Sequence, residues 1–394
     1  MESIREIFKI GNGPSSSHTI GPKKAAQDFL SKITDEDFIK VTLYGSLALT
    51  GKGHLTDYII DQTLKEFPHS IIFDKATKTE HPNTMICESF KQGNLKLHTI
   101  YVSIGGGSIV IAGEAPTVPQ TVYPHSTFSE IKDYCVANDI NLSEYVYRFE
   151  GERIRKYLDK VYHTMQEAID RGLSTEGKLP GVLNIERKAK RMFIDGKSKR
   201  NRLCAFAYAV SEENACGGTI VCAPTCGASG VLPAVLRYSL ETLNPAYDKV
   251  LEGLAVAGLI GNLVKTNASI SGAEAGCQAE VGTACAMAAA YYSHINGLGI
   301  GSIEQATEVA LEHHLGMTCD PIMGYVQIPC IERNAVAAMR AVDAYELATL
   351  LDPTDEKITL DMVCETMLQT GRDITSIYRE TSQGGLANYY KFKD

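Results

Sequence analysis

Residues 141–172 read NLSEYVYRFEGERIRKYLDKVYHTMQEAIDRG, and this stretch divides the chain into two kinds of sequence. Across 145–171, apolar side chains recur at three- and four-residue spacing, which predicts a helix with one buried face that stops at Gly172. Beyond it, almost continuous helix is expected. A polar stretch, 174–178, leads to Pro180–Gly181. The later segments 230–242, 247–265 and 276–294 are rich in Ala and Gly, a composition that lets helices pack closely around a buried site. Upstream the periodicity is mixed. Residues 39–47 (IKVTLYGSL) and 96–104 (KLHTIYVSI) are predicted strands, running towards turns at Gly51–Lys52–Gly53 and Gly105–Gly106–Gly107. Helical spacing falls on 56–65 between them. Residues 119–124 are a predicted loop, and Ser126 or Thr127 is placed to cap a helix starting near Phe128. The fold class predicted is α+β: an α/β domain over 1–140, then an all-helical domain over 141–394.

Composition narrows the partners. With 394 residues, 44% hydrophobic and 22% charged, the chain reads as a soluble globular protein of two domains. A net charge of −9 argues against nucleic acid or an anionic membrane as partner. The one basic cluster, Lys197, Lys199, Arg200 and Arg202, is expected to be a solvated loop. The N-terminal MESIREIFKIGNG has no apolar secretory core, and no apolar run approaches the roughly 20 residues that span a bilayer. A cytoplasmic location is therefore expected. The eleven cysteines should then be reduced, with no disulfide framework.

Three of those cysteines stand in unusual surroundings: Cys277 in SGAEAGCQAEVG, Cys319 in GMTCDP and Cys330 in VQIPCIERN. Gly, Pro and acidic neighbours suit a place where backbone approaches an iron–sulfur cluster. Three thiolates on a [4Fe–4S] cube would leave one iron open as a Lewis acid. Spacing alone supports equally three small core residues, because no CxxC pair is present. The run Gly13–Pro14–Ser15–Ser16–Ser17–His18–Thr19 sets several hydroxyls around a histidine, the side chain best suited to exchange a proton near neutral pH. Ser15, Ser16 and Ser17 could hold a carboxylate or an ammonium, although a polar turn with an incidental histidine has the same pattern. His81, before Pro82–Asn83, is a further candidate, and His54 a weaker one. SIGGGS (103–108) could present backbone N–H groups to an anion. APTCGASG (223–230) and KTNASISGAE (265–274) are polar islands between apolar helices. Within the second, Asn267, Ser269 and Ser271 need partners, and a substrate is one possibility.

Taken together, GPSSSHT, YGSLALTGKGHLTD, HPN, SIGGG, APTCGASG, NASISGAEAGCQAEVG, CDP, PCIERN and ETSQGGLA resemble the bacterial iron–sulfur L-serine dehydratases (L-serine ammonia-lyases) in their single-chain form. The matches run from Gly13 to Ala387. The resemblance implies an N-terminal domain of the β-chain type and a helical domain of the α-chain type. It implies a [4Fe–4S] cluster on Cys277, Cys319 and Cys330, with His18 as base and His81 as a second active-site histidine. The implied reaction takes L-serine to pyruvate and ammonia, in amino-acid catabolism that feeds gluconeogenesis, and a homodimer is the expected assembly. Two departures stand out. Cys226 occupies a position where that family usually has Asn, and NYYKFKD (388–394) offers no terminal thiol for an open iron. The alternatives are the same scaffold acting on another hydroxy or thiol amino acid, and a pyridoxal-phosphate dehydratase using Gly105–Gly107 and Lys265. A non-catalytic amino-acid-binding protein is a third.

Overall fold

The computed structural model describes residues 1–34, 38–114 and 120–390; Pro119 of the predicted loop and residues 391–394 of the C-terminal stretch lie outside the described residues. Seven strands are formed among them: β1 (Lys9–Asn12), β2 (Phe38–Tyr44), β3 (His69–Asp74), β4 (Thr84–Lys91), β5 (Asn94–Gly105), β6 (Ser108–Ile111) and β7 (Thr219–Cys222). Five make one sheet in the order β3-β2-β4-β5-β6, with β2 and β3 parallel and the other pairs antiparallel. Alternation decides its faces. Ile39, Val41 and Leu43 of β2, Met85 and Cys87 of β4 and Tyr101 of β5 point inward, onto Ala25, Ala26 and Phe29 of helix Gly21–Lys32 and Ile59 and Ile60 of helix Thr56–Leu64. Lys40 pairs with Glu88 at 2.8 Å on the other face. The two predicted strands are present as β2 and β5, but β2 ends at Tyr44, and residues Gly45–Thr50 form a short helix.

The rest of the chain is mostly helix, built around Thr283–Ile295, which is buried on every side. Helices Val231–Leu243, Tyr247–Asn267, Ile300–Glu312 and Cys330–Ala348 surround it. A helix apolar all round belongs in a core, and its alanines admit close neighbours. Each large aliphatic side chain fully buried here contributes roughly 1.5–3 kcal/mol.

The first residues belong to this core and not to the sheet: Ile4, Ile7 and Phe8 pack against helix Tyr247–Asn267. A Cβ at Gly258 would stand 2.8 Å from the Phe8 ring and 3.0 Å from Ile4, so glycine is what admits this close approach. Strand β1 then pairs antiparallel with β7, Ile10 opposite Val221, and this pairing carries the Ser15–His18 run to the edge of the helical core.

Several sequence expectations are corrected. The helix predicted over 145–171 is two helices, Leu142–Glu150 and Arg153–Ser174, because Gly151 (φ 71°) breaks the ladder, and the second runs past Gly172. The basic cluster is no loop beyond Lys197. Ser198 caps helix Lys199–Ala215, and the charges are paired, Arg200 with Asp343 at 2.6 Å and Arg202 with Glu241 at 2.7 Å. Thr127 does cap helix Phe128–Asn138, in a capping box with Glu130. Among the described residues no helix is long and apolar enough to cross a membrane.

Candidate active site

A cavity of about 960 Å³ lies between the sheet and the helical core. One wall is brought by the sheet side. Ser15 caps a π-helical turn, Ser16–Ile20, its hydroxyl accepting from the His18 backbone N–H at 3.2 Å. This turn buries His18 with both ring nitrogens engaged, Nδ1 with Ser17 Oγ at 2.8 Å and Nε2 with Ser46 Oγ at 2.9 Å. Ser103 donates to the Ser17 carbonyl at 2.7 Å, Thr19 to the His54 carbonyl at 2.8 Å, and Thr56 to the His18 carbonyl at 2.6 Å. Three of the sequence motifs therefore meet as one hydroxyl network.

His54 is the unexpected member. It lines the cavity, its ring centroid is 4.5 Å from that of His18, and neither of its ring nitrogens has a hydrogen-bond partner among the described residues. Buried polar atoms are rarely left this way without a reason. Burial lowers both histidines, His18 to about 4 and His54 well below the usual value, the latter also because of His18. Both rings are neutral at pH 7 and able to accept a proton.

His81 stands one layer back. Its Nδ1 accepts from the Asn83 N–H at 3.0 Å, and the Pro82 carbonyl accepts from the Ser46 N–H at 2.7 Å, so the turn braces the serine that holds His18. His81 is lowered by burial, with Glu274 opposing.

The facing wall comes from the helical core. Ser15, Ser16 and Ser17 look across at Ser269, Ser271, Cys277, Cys319 and Cys330. The three cysteines arrive differently: Cys277 precedes the π-helical turn Gln278–Gly282, Cys330 opens helix Cys330–Ala348, and Cys319 is held by the C-terminal segment. Its N–H donates to the Tyr378 carbonyl at 2.7 Å, and its carbonyl accepts from the Glu380 N–H at 2.7 Å. The ligating atoms of Cys277, Glu280 and Cys319 all lie within 4.8 Å of one another.

Electrostatically this wall is short of positive charge. The neighbouring Cys319 thiol and the Arg333 guanidinium hold Cys277 below the usual thiol range, whereas Cys319, hydrogen-bonded to it, and Cys330, desolvated, are pushed up. Burial raises Glu280, and raises Glu380 to about 8. Arg333 is anchored by the Thr318 carbonyl at 2.5 Å and Asp320 at 3.4 Å. Three thiols and two carboxyls around one guanidinium make a soft, electron-rich donor set that suits iron–sulfur better than a hard cation.

Other predicted residues are engaged within the protein. Asn267 does not reach the cavity; its amide donates to the Ser126 carbonyl at 2.7 Å and to Leu263 at 3.0 Å, tying off the end of its helix. Ser269 donates to Glu274 and accepts from the Ser271 N–H at 3.0 Å. Cys226 turns away from the cavity, its Sγ 3.2 Å from Cys222 Sγ, leaving Thr225 and Gly227 on the wall. The SIGGG glycines form the β5–β6 turn at the cavity rim, and Lys265 is ion-paired with Glu2.

Comparison with known proteins agrees with this architecture. Family models described as serine dehydratase beta chain and serine dehydratase alpha chain match residues 3–66 and 68–387, meeting inside the five-stranded sheet. The L-serine dehydratase of Haemophilus influenzae is 40% identical, covering 98% of this chain and 99% of its own. L-serine dehydratase 2 of Escherichia coli is 40% identical with 98% of each covered, and the Helicobacter pylori enzyme is 38% identical with 99% of each. The Haemophilus alignment spans 453 positions against 394 residues, so that relative carries stretches absent here. The chain belongs to the L-serine dehydratase family, with the β-chain and α-chain parts on one polypeptide.

Proposed function

We propose that this protein is an L-serine ammonia-lyase that eliminates water from L-serine, the resulting aminoacrylate tautomerising and hydrolysing to pyruvate and ammonia. The observation that carries the reading is one cavity with a buried, unpartnered histidine on one wall and three cysteines on the other, two of them, Cys277 and Cys319, grouped with Glu280. Cys277, Cys319 and Cys330 would hold a [4Fe–4S] cluster, and the donor set and its deficit of positive charge fit one. Bound there, such a cluster supplies Lewis acidity towards the hydroxyl that must leave.

The remaining work falls to side chains. The Cα proton is weakly acidic, so a fixed acceptor in a water-poor site is required, and we assign it to the His18–His54 pair. His18 is the candidate singled out from sequence. In this fold it is clamped by Ser17 and Ser46, which suits it to set the orientation of His54 at the cavity face. A placed base contributes roughly 10²–10⁴-fold. His81 supports the wall through Asn83 and Ser46. Ser15, Ser16 and Ser17 on one side and Ser271 on the other are the hydroxyls within the cavity for the substrate's carboxylate and ammonium.

A homodimer and a cytoplasmic location remain part of this proposal; sedimentation of the purified protein tests the first. The function is tested by incubating protein prepared without oxygen with L-serine, L-threonine and L-cysteine. Equal amounts of pyruvate and ammonia from L-serine are expected. No product from L-serine would refute the reading, and faster turnover of another amino acid would move it to that substrate.

A further inference from the structure

Resting on the cluster reading above, we propose that Glu280 is a fourth protein donor at this centre, its carboxylate occupying the iron that three cysteines leave open when no substrate is present. The argument starts from spacing. Cys277 and Glu280 are three residues apart at the start of a π-helical turn, and their ligating atoms lie within 4.8 Å of each other. Glu280 Oε2 is 3.8 Å from Cys319 Sγ, and with Cys277 these groups form the tight ligand set already described.

Among the described residues the Glu280 carboxylate is in no ion pair; the Thr225 hydroxyl and Cys319 stand beside it, and the cation that acts on it, the Arg333 guanidinium, is itself held by Asp320 and Thr318. A carboxylate taken from water with no ion-pair partner is costly; it takes up a proton or binds a metal, and the thiols gathered beside this one favour the metal. The surroundings leave space for it. A Cβ at Gly272 would lie 2.7 Å from Glu280 Oε2 and 3.3 Å from Cys319 Sγ, and one at Gly227 would lie 3.5 Å from Glu280 Oε1. Glycine at 272 keeps the approach to this carboxylate clear, and at 227 a Cβ would only touch it. Cys330 and Glu380 also line the cavity but stand outside that tight set, so Glu280 is the carboxylate grouped with two of the thiols. An oxygen donor at the fourth position would shield that iron from oxidants, yet it exchanges more readily than a thiolate, so a substrate oxygen could displace it.

The test uses the whole protein, grown with ¹³C-carboxyl-labelled glutamate, loaded anaerobically with its cluster and reduced. Electron–nuclear double resonance then reads any coupling between the cluster and a glutamate carboxyl carbon. The expected result is a resolved ¹³C coupling that disappears on adding L-serine and is absent from Glu280→Gln. That variant should also lose its fourth iron in air several-fold faster. No ¹³C coupling in the loaded wild type, or a coupling that survives Glu280→Gln, overturns the inference and leaves the functional reading intact. If the variant takes up no cluster, the labelled wild type with and without serine decides alone. A wild-type protein that binds no cluster overturns this inference together with the reading it rests on.

Discussion

The two walls of the cavity are built on opposite principles. On the sheet side nearly every polar atom has a protein partner: Ser17 and Ser46 hold His18, Ser103 holds Ser17, and Thr19 and Thr56 cross-link the segments carrying the two histidines. Among the described residues, the His54 ring faces the cavity with both nitrogens unpartnered. On the helical side the converse holds, with three thiols and two carboxyls gathered around Arg333. The first wall is preorganised by the chain itself, and on the proposed function the second is completed by the cluster. Preorganisation of the base and completion by a group are separable, and each can be removed without the other.

The largest effect should come from removing a thiol. Cys319→Ser is expected to abolish cluster loading and lower pyruvate formation by at least ~10³-fold, given that the group supplies several kcal/mol of transition-state stabilisation. Iron analysis and turnover measure it, while the thermal transition of the apo-protein should barely move. Next is His54→Ala, which should keep a full cluster and lose roughly 10²–10⁴-fold in rate. A variant that retains full activity would remove His54 from the reaction, and the same comparison with His18→Ala would show which ring takes the proton. Third, Arg333→Gln removes the cation beside Cys277 and should weaken iron retention about 10–100-fold, read by chelator competition.

The smallest effects concern the network. Ser46→Ala deletes one hydrogen bond to His18 and should cost about 1 kcal/mol of stability. pH probes His18 together with two histidines buried in the helical part. His18, His294 and His314 are each lowered by burial to about 4. Since the unfolded chain binds these protons near pH ~6.5, stability is complete above that pH. It should fall as pH drops towards 4, seen as a declining melting temperature.

How much of this was legible in the sequence varies with the range of the interactions. The helix cap at Thr127 and strands β2 and β5 are local patterns, and they were readable. Strands β1 and β7 are four residues each and exist only because segments some two hundred positions apart meet, which no local periodicity announces. Gly151 sits inside a good helical pattern, so the break is visible only as a backbone angle. In the site, the three cysteines were marked by their glycine and proline neighbours. His54 was undervalued because its isolation comes from tertiary burial beside His18. Asn267 was overvalued because a polar residue at a helix end has a structural use that sequence does not separate from binding. Glu280 carried a signal that passed unread, its three-residue spacing from Cys277.

The central claim, that the helical wall is completed by a cluster and the sheet wall is not, is tested most directly by graded loading. Protein stripped of metal is given increasing iron and sulfide without oxygen, and the pyruvate rate from L-serine is plotted against absorbance near ~400 nm. A rate rising in proportion to the cluster, from zero to a plateau at about four irons per chain, and lost again in air, is the predicted result. A colourless, metal-free protein that already turns over L-serine would contradict the account.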